Sequence, residues 1–191
     1  MQRRAAIRRI SIIGGGLVLA FSGTKLYQRY KHPHFQVLTE NAALLNELAE
    51  TILPRTGSPG AGEARVGDLI AKMVRDCTDR KTQNNFLNGL EALAGQARDR
   101  YGKAFGQCTI AERTALLVHF EKEGKAYPGM AGKVQRQLLG DSFFTTLKKY
   151  TVLGYCTSQL GATEGLRYDY IPGKYVGNAV LTPGQRGWAT Q

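Results

Sequence analysis

The stretch that decides the fold is residues 40–53, ENAALLNELAETIL, and Pro54 follows it directly. Its apolar residues recur at spacings of three and four, which places them on one broad stripe of a helix. They are Leu44, Leu45, Leu48, Ala49, Ile52 and Leu53. Thr39 is predicted to cap this helix, and Pro54 to end it, because proline disfavours helical backbone in the residue before it. A helix with such a stripe needs other elements to cover it.

Five further segments show the same period, so the folded part of the chain is predicted to be all-α, a small helical bundle. They are residues 64–76, a segment that follows Thr78 or Asp79 and reaches Tyr101, and residues 110–123, 132–139 and 142–159. Thr109 and Glu112 have the spacing of a capping box at the start of the helix over 110–123. Asp141 is predicted to cap the last helix. The loop 55–62, rich in glycine, proline and serine, separates the first two helices.

The helical period is lost after Gly161, and residues 162–191 are predicted to be a long irregular arm. Seven glycines and prolines lie between Gly165 and Gly187, among several aromatic residues. An aromatic segment without regular structure needs a surface to lie on, either the helical body or another protein, and tyrosine and tryptophan are favoured at interfaces. The predicted organisation is therefore one helical domain over 32–191 whose arm begins near residue 162.

The first 31 residues have the features of an export signal. Arg3 and Arg4, two spacer residues, Ile7 and Arg8 resemble the twin-arginine consensus, and a mildly apolar run follows over residues 10–21. This run of about 12 residues suits the apolar region of a signal and is short for a membrane span, which needs about 20. A retained N-terminal anchor and an uninformative basic tail are the alternatives, and a clean cleavage site is absent after the run.

The charge of the chain is concentrated at this terminus. The net charge is +11, yet seven of the 26 basic residues lie in the first 31 positions. From Glu40 onward the chain has 19 basic and 15 acidic residues, a net charge of +4. A nucleic-acid-binding domain carries its basic residues on the folded body, so nucleic acid is not predicted as a partner.

No constellation of catalytic or metal-binding residues is found in the sequence. His32 and His34 are interpreted as solvated linker residues, and His119 as a surface or boundary residue of its helix. Three cysteines leave at least one thiol unpaired within the chain. One internal disulfide, a bridge to a partner, and three buried thiols all remain open. They are Cys77, on the apolar face of the second helix, Cys108 and Cys156. No catalytic residue, cofactor or metal is predicted for this chain.

Two sets of residues are familiar in combination. The first is residues 48–61, LAETILPRTGSPGA, which lead into Val66 and Leu69. The second runs from Phe143-Phe144 through residues 154–158, GYCTS, and 171–177, IPGKYVG, to residues 186–189, RGWA. In this order and spacing they resemble the gluconate 2-dehydrogenase subunit 3 family, over about residues 40–189.

The resemblance implies a non-catalytic small subunit. Its expected partner is a large FAD-binding dehydrogenase of the glucose–methanol–choline class, often joined by a multihaem cytochrome c. The small subunit is expected to carry the folded flavoprotein through the twin-arginine translocase to the periplasm, or to the periplasmic face of the inner membrane, and then to stay bound. Membrane association is therefore expected, FAD would belong to the partner, and any haem c to a further subunit.

The arm is the predicted contact with the large subunit, because its aromatic residues need a surface. The hypothesised interface residues are Tyr168, Tyr170, Ile171, Pro172, Tyr175 and Trp188. A freestanding exported helical binding protein is the main alternative, and an enzyme with an unrecognised site is a second one.

Overall fold

The computed structural model describes residues 31–168, 173, 178, 180 and 183–189. Seven α-helices follow one another in this part of the chain, with a 3-10 turn at Phe105–Gln107 and a π-helix at Gly161–Gly165. They are α1 Gln36–Glu40, α2 Ala42–Ile52, α3 Val66–Asp76, α4 Arg80–Tyr101, α5 Ile110–Glu123, α6 Gly129–Leu139 and α7 Phe143–Thr157. The predicted all-α class is confirmed. Of the predicted functional residues, Arg3, Arg4, Tyr170, Ile171, Pro172 and Tyr175 lie outside the described residues.

The first predicted cap is wrong. Thr39 lies inside α1, which begins one turn earlier and buries Leu38 in the core. Asn41 separates α1 from α2, and its side-chain amide donates to the carbonyl of Val37 at 2.9 Å. Burial of Leu38 therefore favours an earlier helix start than the local capping pattern indicated.

The predicted cap of α7 is also wrong, by one residue. Ser142 caps this helix, and its hydroxyl accepts from the backbone N–H of Thr145. The backbone of Asp141 is fixed by α4, since its N–H donates to the hydroxyl of Thr82 at 3.0 Å and its carbonyl accepts from the amide of Asn85 at 3.0 Å. For α4, where Thr78 and Asp79 were both predicted as possible caps, Asp79 is the cap.

The core lies where α2, α3 and α7 pack together, with the long α4 against α7. A chain of three aromatic rings connects α4, α7 and α5. The ring centroid of Phe143 lies 5.2 Å from that of Phe86 and 5.5 Å from that of Phe120. The predicted apolar stripe of α2 faces this core, and its residues Leu45, Leu48 and Ala49 are fully buried.

The predicted capping box opens α5 and provides a test of local stability. The hydroxyl of Thr109 accepts from the N–H of Glu112 at 3.3 Å, and the Glu112 carboxylate accepts from the N–H of Thr109 at 2.7 Å. Thr109→Ala is expected to lower the free energy of unfolding by about 1 kcal/mol, measured by urea denaturation. Thr114→Ala, in the middle of the same helix, is the control, and an equal loss there would contradict the capping role.

The same capping box predicts that the stability of the fold depends on pH. The backbone N–H of Thr109 donates to the Glu112 carboxylate and lowers the pKa of that carboxyl below its ordinary value. A group whose pKa is lower in the folded state stabilises the fold above its unfolded pKa, and this stabilisation is lost as the pH falls through the folded pKa. Acid should therefore weaken the wild type more than Glu112→Gln.

Candidate partner interface

The arm begins and returns at one place on the body. After the π-helix, Arg167 pairs in parallel with Trp188. The N–H of Arg167 donates to the carbonyl of Gly187 at 2.7 Å, and the N–H of Ala189 donates to the carbonyl of Arg167 at 2.9 Å. The outgoing and returning ends of the arm are therefore bonded to each other beside the π-helix.

Two side chains hold this junction. The guanidinium carbon of Arg167 lies 4.4 Å from the centroid of the Trp188 ring, which is a close cation–π contact. The guanidinium of Arg186 donates to the backbone carbonyl of Glu164 in the π-helix. Trp188 and Tyr168 nevertheless keep 37% and 44% of their surface exposed. The junction thus fixes two aromatic side chains in position and leaves part of each open to a partner.

Tyr155 connects the junction to the loop between α2 and α3. Its hydroxyl donates to the carbonyl of Pro59 at 2.8 Å. A Cβ atom at Gly165 would come within 2.3 Å of the same hydroxyl, so only glycine lets the π-helix approach the ring this closely. The position of the arm relative to the body is therefore set by the contact between Tyr155 and Gly165, both half-buried, as well as by the backbone bonds.

The loop itself is organised by Glu50, a residue that the sequence reasoning missed. Its carboxylate accepts from the backbone N–H groups of Gly62 at 2.7 Å and Arg55 at 2.9 Å. The side chain of Arg55 in turn contacts the carboxylate of Glu63 at 2.6 Å. The signal was an acid at the end of the apolar helix, four residues before Pro54, where the free N–H groups of a glycine-rich loop need an acceptor.

The loop, the π-helix and the arm junction form one surface, named here the arm-base surface. One shallow cavity runs between the loop and the π-helix, and a second lies between the π-helix and the returning arm. Thr163 lines both cavities. The first is otherwise lined by residues 63–65, 158–160 and Glu164, and the second by residues 166–168 and 183–186. Two adjoining clefts, one of them lined by the exposed Tyr168, suit contact with another protein.

The cysteines settle one of the open alternatives. Cys108 is buried and Cys156 half-buried, whereas Cys77 is exposed, and all three are free thiols in the structure. The alternative in which all three thiols are buried is therefore wrong. The placement of Cys77 on the apolar face of α3 is also wrong. The helix ends at Asp76, so Cys77 lies in the connection to α4 and leaves the helical face.

The histidines lie where the sequence placed them. His32 and His34 are exposed in the segment before α1. His119 is half-buried on α5, with Nε2 3.4 Å from a carboxylate oxygen of Glu123. In the described part of the chain, no three His, Cys, Asp or Glu side chains are grouped so that they could hold a metal ion. Within the same residues, no helix combines the length and apolar character needed to cross a bilayer.

These features define a class of protein: a small all-α protein with a C-terminal arm that is anchored beside a π-helix. Residues 39–173 match the family described as Gluconate 2-dehydrogenase subunit 3, and the chain belongs to that family. The family is that of an accessory subunit in a dehydrogenase complex, as the resemblance implied. No curated protein and no solved structure matches the chain. The matched region holds helices α2 to α7, the loop and the first part of the arm.

Proposed function

We propose that this chain is the non-catalytic small subunit of a FAD-dependent sugar or glycoside dehydrogenase of the glucose–methanol–choline type. It assembles with the folded flavoprotein, carries it through the twin-arginine translocase by means of Arg3 and Arg4, and remains bound as a stabilising subunit. The complex acts in the periplasm or at the periplasmic face of the inner membrane. FAD belongs to the large subunit, and a multihaem cytochrome c is proposed as a further subunit that accepts the electrons.

The arm-base surface is the observation that carries the proposal. Exposed aromatic groups at a site that is already fixed to the body provide contact area at low entropic cost, because little ordering remains to be done on binding. Tyr155 and Glu50 perform that fixing through Pro59 and the loop. In the proposed complex, the flavoprotein covers Tyr168 and Trp188, and the rest of the arm extends the contact.

The first test is a pull-down of the tagged full-length chain from its native membrane and periplasmic fractions. A yellow eluate with flavin absorbance and a large subunit in about equal amount is expected. A colourless eluate without a large partner would contradict the proposal and would favour a freestanding exported binding protein. Substrate screening on the purified complex would then follow, since substrate choice lies in the flavoprotein.

A paired substitution locates the interface. Tyr168→Ala with Trp188→Ala is expected to weaken binding of the flavoprotein at least about tenfold, because loss of central interface aromatics typically costs about 2 kcal/mol or more. Tyr127→Ala is the matched control, since Tyr127 is an exposed aromatic residue outside the arm-base surface. Equal affinity of the double variant and the wild type, measured by titration of the purified subunits, would show that the contact lies elsewhere.

A further inference from the structure

Helix α6 turns its apolar stripe away from the rest of the molecule. Met130, Val134 and Leu138 follow one another at every fourth position, which places them on one face, and each is between 50% and 74% exposed. Gly132, about half a turn away from that stripe, is the one buried residue of the helix.

Polar contacts with α4 hold the C-terminal end of α6. The ammonium group of Lys81 donates to the carbonyl of Gln137 at 2.5 Å, and the side-chain amide of Asn85 donates to the carbonyl of Leu139 at 2.8 Å. At the other end, the amide oxygen of Gln135 accepts from the N–H of Tyr127 at 3.1 Å. None of these contacts uses the apolar stripe. The stripe is therefore free to be covered from outside while α6 keeps its place.

The charge around the stripe is positive. Residues 124–140 contain no acid and include Lys125, Lys133 and Arg136. Beside them, a cleft next to Phe144 is lined by four lysines, Lys122, Lys125, Lys148 and Lys149, together with Glu121. Glu121 contacts Lys148 at 3.7 Å. The other nearby acids, Glu123 and Asp141, line the cavity between α6 and the body, where Arg136 also lies. The outer side of this region thus combines an apolar stripe with basic flanks.

Lys31, the first described residue, is bonded to the part of α4 that also holds α6. The side-chain amide of Asn84 donates to the carbonyl of Lys31 at 3.0 Å, and the next residue, Asn85, holds the C-terminal end of α6. The segment that precedes Lys31 contains the apolar run 10–21 and the basic residues Lys25 and Arg29. Lys31 and α6 thus contact α4 at consecutive residues, and the segment before Lys31 has the apolar and basic composition of a membrane-directed one.

We propose that α6 lies on the surface of an anionic lipid bilayer as an interfacial amphipathic helix. Tyr127, Met130, Val134 and Leu138 enter the headgroup region, and Lys125 and Lys133 contact anionic headgroups. An isolated convex helix with aliphatic residues on one face and basic flanks is typical of such binding. This inference goes beyond the proposed function, because it assigns a membrane-facing side to this chain and does not depend on the flavoprotein.

Hydrogen–deuterium exchange of the full-length chain tests this locally, apart from any binding by the N-terminal segment. Vesicles that contain phosphatidylglycerol should slow the exchange of amides 129–139, whereas vesicles of phosphatidylcholine alone should not. Met130→Gln with Leu138→Gln should abolish this protection and weaken vesicle binding of the α6 region about tenfold, since several buried methylene groups are lost. Ile110→Gln with Val152→Gln, exposed apolar residues on other helices, should leave it unchanged.

Several outcomes would overturn the proposal. Unchanged exchange of α6 on anionic vesicles would do so directly. Protection that appears with the purified flavoprotein and not with vesicles would assign the stripe to that subunit. Protection that grows with protein concentration in the absence of lipid would assign it to a second copy of the chain. Exchange of amides 129–139 in the double variant without vesicles must match the wild type, which verifies that α6 remains folded.

Discussion

A chain with Arg3→Lys and Arg4→Lys is expected to leave both itself and the flavoprotein in the cytoplasm, with periplasmic dehydrogenase activity reduced to background. Lysine keeps the positive charge of the terminus, so attraction to anionic lipid is preserved. What is lost is the planar guanidinium group with its fixed set of donors, which lysine does not reproduce. The effect is large because the flavoprotein is proposed to have no other route of export.

The second arginine pair supplies the matched control for this experiment. Arg8 and Arg9, followed by residues 10–13, ISII, could also be read as the signal pair but fit the consensus less well than Arg3 and Arg4. Arg8→Lys with Arg9→Lys makes the same chemical change there and should leave export intact, because lysine keeps the base that the consensus needs after Ile7. Both subunits are followed by immunoblotting of periplasmic and cytoplasmic fractions. Normal periplasmic activity in the Arg3 and Arg4 variant would refute carriage of the flavoprotein by this chain. If export is lost only in the control variant, Arg8 and Arg9 are the signal pair instead.

Phe86→Ala is expected to lower the free energy of unfolding by about 3–5 kcal/mol. Phe86 is fully buried, and its ring joins α4 to α7 through Phe143. Truncation removes the buried ring, leaves a cavity and breaks the aromatic chain that continues to Phe120 on α5. For a domain of this size, the melting temperature should fall by about 10 °C or more, measured by circular dichroism.

Phe144→Ala is the matched control, because Phe144 is the same residue type next to Phe143 and only partly buried. Phe144→Ala should lower the free energy of unfolding by less than half as much as Phe86→Ala. Phe86→Leu, which keeps much of the apolar volume, should retain a measurable folded state if the alanine variant does not fold. Equal losses for Phe86→Ala and Phe144→Ala would contradict the central place of the ring in the core.

Local sequence patterns were sufficient to predict most of the helices. The stripe of α2 and the capping box of α5 are short-range features whose physical cause lies within a few residues of sequence. The start of α4, at Thr78 or Asp79, was predicted for the same reason. The prediction failed at Thr39 because burial of Leu38 favours a helix that begins before it, and at Asp141 because the neighbouring Ser142 also fits the local pattern and contacts from α4 decide between the two. Asp141 is held by Thr82 and Asn85 of α4, which leaves Ser142 as the cap.

At the candidate interface too, some features of the arm were predicted from the sequence and others only from the tertiary structure. Its aromatic composition predicted a segment that needs a surface, and its family motif gave the accessory role. The pairing of Arg167 with Trp188 could not be predicted, because it joins residues far apart in sequence through backbone bonds and one cation–π contact. Tyr155 was visible only as an aromatic residue of a helix, although it fixes the π-helix to the loop.

The sequence by itself determined the all-α class, the main helices and the family, because periodic burial and local capping are encoded in neighbouring residues. Only the tertiary structure decided which surfaces remain available. Val134 and Leu138 are exposed, because α6 is held to α4 through its backbone carbonyls and its buried side, at Gly132, lies against the segment before it. Which side of a helix is covered depends on contacts from distant residues, and these are not encoded in the periodicity of the helix itself.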